Sequence, residues 1–183
     1  MAEPPVINAP TQRDVELDKM ILNRAILAGG LELMPQTLAT MAIVPMQMRL
    51  VYQIGANYGY KLDMGHAKEF LATVGVGLTS QVVEGYLSRF VGKVSRHFAG
   101  RIVAGLLTQA TESAVAFAST YAIGQAAKAY YASGRTLSGA QLRDVFSAML
   151  DQGRSLKATY AGQIAQRASQ LNVSDLLPLV KQG

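Results

Sequence analysis

RIVAGLLTQATESAVAFASTYAIGQAAKAYYASG, Arg101 to Gly134, contains no proline and a single acid, Glu112. Ala110, Ala114, Ala118, Ala122 and Ala126 recur in it at every fourth position. Positions four apart share one face of a helix, so these alanines form a shallow groove that drifts slowly round the axis. Small side chains in such a row let a second backbone approach closely. The stretch therefore predicts a long alanine-rich helix over about 101–133, with the ladder, Tyr121 and Gly124 as its packing or partner seam. Alanine is also the best helix former, so the row fits bare helix propensity as well. Ala127, one residue past the ladder, is expected to lie off the seam.

Outward from this helix the chain reads as all-α, with six to seven helices around the alanine-rich one. Residues 1–10, with three prolines, form an N-terminal tail, and 11–183 form a single helical domain. Thr11 and Asp14 stand in capping-box positions and open a first helix. Its apolar side is expected at Val15, Met20, Ile21, Arg24 and Leu27, and its end near the pair Gly29 and Gly30. Pro35 and Pro45 each suit a first helical turn, which predicts a short helix and then a longer one from Pro45. Met46, Leu50, Val51 and Ile54 should be buried there, with Gly59 as the stop. Asp63 caps a helix with Ala67, Phe70, Leu71 and Val74 on one side. Another helical face, Val82 to Phe90, precedes the long helix. After Gly134, Ser138 and Gln141 form a capping box with Leu137 as its staple, and a helix runs past Gly153 to about Ala168. Ser174 caps a last short helix. No segment alternates with period two, so no sheet is expected.

Half of the residues are hydrophobic while only 16% are charged, which places the chain near the border between soluble bundles and membrane proteins. Two stretches approach the roughly 20 apolar residues of a membrane span. Leu33–Met48 is uncharged but short, and it holds two prolines. Ile102–Gly124 is long enough but carries Glu112, Gln109 and several hydroxyls. A central acid costs about 3 kcal/mol, against a gain of about 0.3–0.6 for each large apolar residue, so a solitary span is disfavoured. An association of helices at the membrane remains open, with Glu112, the candidate buried acid, facing protein. The net charge of +5 suits an anionic lipid surface, and Arg89, Lys93, Arg96 and Arg101 are the candidate lipid-facing group. Basic residues are spread rather than clustered, so nucleic acid is disfavoured. The opening MAEPPVINAP has an acid and no apolar core, which points to retention on the cytoplasmic side.

Chemistry is hard to place. With no cysteine there is neither a disulfide nor a thiolate metal site. His66 and His97 are the only histidines and show no metal-ligand spacing. Glu32, Glu84 and Glu112 stand singly in apolar stretches. GYLSRFVGKVS, Gly85 to Ser95, places six residues between its glycines and no Ser or Thr after the lysine, so it is not a phosphate loop. No catalytic, cofactor or metal residue is assigned, and the chain is not expected to be an enzyme.

STYAIGQAAKAYYASGRTLSGAQL (Ser119–Leu142), with IVPMQMRLVYQIGANYGYKLDMGHAKEFLATVGVG (Ile43–Gly77), resembles a bacterial helical family whose domains occur fused behind, or encoded beside, small Era-like GTPases. Several of its members are inner-membrane proteins. The similarity covers about Ile43 to Phe146, and Thr120, Tyr121, Ala122 and Gly124 are its most specific part. The resemblance implies an interaction module, without an agreed biochemical activity, that couples a GTPase or another protein partner to the inner membrane. This chain has no GTPase domain of its own, so a GTPase would act in trans. The resulting expectation is a non-enzymatic, membrane-associated module that forms a homo-oligomer. The alternative is a soluble self-assembling scaffold joined through the alanine ladder.

Overall fold

The structure is a computed structural model that describes residues 11–34, 36–74 and 115–172. The expected tail, the Val82–Phe90 helix, the basic group, the first half of the alanine-rich stretch and the Ser174 helix all lie outside these residues. The described residues form five helices, α1 (Gln12–Glu32), α2 (Gln36–Asn57), α3 (Met64–Val74), α4 (Val115–Ala132) and α5 (Gly139–Gln170), and no strand.

Three of the helix starts have a local cause. At α1 the Thr11 hydroxyl accepts from the Asp14 amide at 3.2 Å, and the Asp14 carboxylate accepts from the Thr11 amide at 3.1 Å. At α3, Asp63 Oδ1 accepts from the His66 amide at 2.9 Å. At α5, Ser138 and Gln141 repeat the capping box, at 3.3 and 2.9 Å. Two helix ends share another device. Tyr60 N–H bonds to the Gly55 carbonyl and Gly59 N–H to Ala56 at the end of α2; Arg135 to Tyr130 and Gly134 to Tyr131 do the same after α4. This is the Schellman pattern, and its left-handed position falls to Gly59 (φ 85°) and Gly134 (φ 73°) because glycine has no Cβ to clash there.

The packing corrects the sequence reading of α1. Its buried face is Leu17, Ile21, Ala25, Ala28 and Leu31, whereas Val15 is 41% exposed and Arg24 only half-buried. Gly29 and Gly30 do not end the helix; they lie inside it and are buried. A Cβ on Gly29 would stand 3.1 Å from Ile164 Cγ2, and one on Gly30 3.1 Å from the Ala168 amide nitrogen. Gly30 admits the backbone of α5, and Gly29 the Ile164 side chain. Pro45 likewise fails to start a helix and sits within α2. It has no N–H to give to the preceding turn, a loss of about 3 kcal/mol in a free helix. Burial on both sides of it offsets that loss, through Val44, Met46, Leu50, Val51 and Ile54. The last four are fully buried, as the sequence predicts. Ala67, Phe70, Leu71 and Val74 also meet their expectation on α3.

α4 packs against each of the other four described helices. The main core draws on all five helices, from Leu17 and Ile21 through Ile54, Leu71, Phe117 and Ile123 to Phe146 and Ile164. A smaller cluster, Ala28, Leu31, Ala42, Met46 and Ala116, closes the end where α1 finishes. Among the described residues no helix is long and apolar enough to cross a membrane.

Candidate functional site

The described part of the alanine ladder is interior. Ala118, Ala122 and Ala126 are at most 1% exposed. At Ala118 the neighbour is Gly153 of α5, where a Cβ would lie 3.0 Å from both the Cα and the carbonyl oxygen of Ala118. Gly124 faces α1 instead, and a Cβ there would come within 2.6 Å of Ile21 Cγ2. Ala127 is also fully buried, so it does not lie off the packed surface. Ala110, Ala114 and Glu112 lie outside the described residues, as do Arg89, Lys93, Arg96, Arg101 and His97.

One polar contact crosses this apolar seam. Gln47 Nε2 of α2 donates to Thr120 Oγ1 of α4 at 3.0 Å, with both residues buried. A buried amide without a partner would cost several times what the bond contributes, so the pair fixes the register of α2 on α4. Among the described residues no buried side-chain nitrogen or oxygen lacks a partner.

On the α1 side of the seam a cleft of about 380 Å³ opens between three helices. Its walls include Asp18 and Leu22 of α1, Tyr121 and Gln125 of α4, and Gln152 and Tyr160 of α5. Asp18 Oδ1 accepts from Lys128 Nζ at 2.7 Å and from Gln125 Nε2 at 3.1 Å. Burial first, then the Asp18 charge, raises the Tyr121 phenol above its ordinary pKa, so it presents a neutral hydroxyl. The acid of this cleft is thus already engaged by α4. Tyr121 is the one seam residue that reaches it.

For two further charged groups the sequence reading named the residue but not its partner. Glu32 closes α1, and its carboxylate accepts from the Ala116 amide of α4 at 3.1 Å. Burial pushes its pKa up, while the bonds to the Ala116 and Val115 amides pull it back. Its position in an apolar stretch was visible; its partner, on a helix distant in sequence, was not. Arg24 donates to Gln53 Oε1 across α1 and α2 at 3.5 Å. His66, the histidine among the described residues, pairs with Asp63 at 2.8 Å on the exposed start of α3. The described residues contain no cluster of three or more His, Cys, Asp or Glu that could hold a metal.

Comparison of the chain with protein-family models, with curated proteins and with solved structures finds no match.

Proposed function

We propose that the chain is a non-enzymatic helical interaction module that associates with the cytoplasmic face of the inner membrane and serves a protein partner, a GTPase acting in trans being the first candidate. The observation that carries this reading is the position of the segment with the most specific family resemblance. Thr120 bonds to Gln47, Ala122 is fully buried and Gly124 meets Ile21. These residues are shaped by close packing, so the resemblance reaches the helical core rather than a surface feature. The expectation of six to seven helices around a long alanine-rich helix belongs to the same reading, and its support is that α4 touches every other described helix. The net charge of +5 supports attraction to anionic lipid.

The scaffold alternative relied on the alanine ladder for homotypic contact. Its described members are buried among the chain's own helices, so they offer no surface to a second copy. Vesicle flotation tests the membrane reading. Co-flotation is expected with phosphatidylglycerol vesicles and not with neutral phosphatidylcholine vesicles. Protein that stays in the soluble fraction with both lipids would overturn it. The same preparation should neither bind nor turn over GTP, and turnover that survives repurification would remove the non-enzymatic part.

A further inference from the structure

The cleft between α1, α4 and α5 takes no part in the membrane reading, and its acid is engaged on one side only. Both bonds to the Asp18 carboxylate, from Lys128 Nζ at 2.7 Å and from Gln125 Nε2 at 3.1 Å, end on Oδ1. Among the described residues no donor reaches Oδ2. Lys128 is also shared, because its Nζ stands 3.8 Å from Asp14 Oδ1. Arg13, the other cation on that part of α1 to meet a neighbouring side chain, lies over the Tyr58 ring at 5.4 Å from its centroid. Asp18 therefore holds no cation of its own. Its side chain is 47% exposed, so a ligand can reach it without displacing Lys128.

The rest of the wall supplies apolar contact from Leu22, Met149 and Leu156 and aromatic rings from Tyr121 and Tyr160. The core positions both rings: Tyr121 is buried, and Tyr160 stacks on Phe117 with centroids 6.1 Å apart. The volume, about 380 Å³, is that of a small-ligand cleft. A carboxylate beside aromatic rings suits a positive group, through a charge-assisted hydrogen bond and through the negative ring faces. The same acid repels anions, and a neutral ligand without a donor would dry the cleft and leave Oδ2 unpaired. A bare metal ion fits poorly, since the described residues bring no three metal-binding side chains together. The apolar wall favours an organic body behind the charge.

We propose that this cleft binds a small protonated amine carried on an apolar or aromatic body. The ammonium donates to Asp18 Oδ2, and the body lies against Leu22, Met149 and the two tyrosine rings. The site does not depend on the membrane reading, because neither lipid nor a protein partner enters it. Phenethylamine, titrated into the full chain by calorimetry, is the probe. 2-Phenylethanol, of nearly the same shape but uncharged, is its match.

The amine should bind about tenfold or more tighter than the alcohol, the difference that one charge-assisted hydrogen bond makes. Asp18→Asn keeps the shape of the wall and should lose that advantage. Gln152→Trp places a large ring at an exposed position on the rim and should block both compounds with the melting temperature unchanged. It provides a second reading if Asp18→Asn unfolds. Glu69→Gln, which removes an exposed acid of α3, should leave binding within about twofold, because distant surface charge is screened. A preference for the amine that disappears in Asp18→Asn or Gln152→Trp supports the site. No binding of phenethylamine, equal binding of the alcohol, or a loss in Glu69→Gln equal to that in Asp18→Asn would overturn the proposal.

Discussion

α4 buries twelve of its eighteen residues, whereas α5 buries four of its thirty-two. Both are good helix formers, so propensity does not separate them. Apart from Gln125 and Lys128 on the side that meets Asp18, α4 is small or apolar, and a helix of that kind is stable only with neighbours nearly all round. α5 attaches along one narrow stripe. Leu142, Phe146, Met149, Gly153, Leu156 and Tyr160 recur at alternating spacings of four and three and face the core, while the other side meets solvent. A substitution in α4 should therefore be costly wherever it falls on a packed face. In α5 the same change should range from costly to favourable according to its place on the stripe.

The largest effect is expected where the two helices come closest. Ala118→Leu adds three heavy atoms at a position 1% exposed, against the backbone at Gly153. Overpacking of this kind costs about 1–3 kcal/mol, and leucine hardly changes helix propensity. Thermal or urea unfolding should show the loss, and sizing should show an unchanged oligomeric state because the contact is internal. The matched change on the open side of α5, Ala148→Leu, should stay within about 0.5 kcal/mol of the parent. Equal melting for the parent and Ala118→Leu would reduce the ladder to composition.

A sharper form of the comparison uses two glycines of α5. At Gly153 an added Cβ meets Ala118 backbone at 3.0 Å; at Gly162 nothing lies within 4 Å. Backbone moves less readily than a side-chain tip, so Gly153→Ala should lose about 1–2 kcal/mol despite the better helix former. Gly162→Ala should instead gain up to about 1 kcal/mol, the ordinary difference between the two residues in a helix. Urea midpoints shifting the same way in both variants would contradict this reading of α5.

The contrast between these glycines also explains which parts of the fold were legible in the sequence. Capping boxes at Thr11 and Ser138, and stops at Gly59 and Gly134, are local chemistry, written within a few residues. The buried faces of α2 and α3 followed from periodicity alone. Gly29 and Gly30 look like a stop by the same local rules, yet they serve close approach to Ile164 and Ala168. Only the distant helix decides between the two meanings. Pro45 misled for a related reason, because tertiary burial overrode a local preference. The Gln47–Thr120 bond, the cleft at Tyr121 and the Arg24–Gln53 contact each join residues far apart in sequence, and no spacing rule reaches them.

The smallest expected effect concerns how these two helices receive charge at their first described turns. α5 is capped by its own Ser138 and Gln141; α4 receives Glu32 from the end of α1. Burial outweighs the amide bonds and holds the Glu32 carboxyl above its ordinary pKa. The folded state therefore keeps this proton to a higher pH than the unfolded chain does, and stability falls as pH rises through that interval. The contribution is fully present below the unfolded pKa and is lost as pH passes the raised folded one. Glu32→Gln keeps an oxygen for the Ala116 amide and removes the titration. Its urea midpoint should match the parent near pH 4, once common shifts from other groups are shared by both proteins. It should then rise relative to the parent as pH approaches 7. A constant offset between the two proteins from pH 4 to 7 would mean that the Glu32 carboxylate is as well accommodated charged as neutral, and that α4 tolerates at its edge a charge its interior excludes.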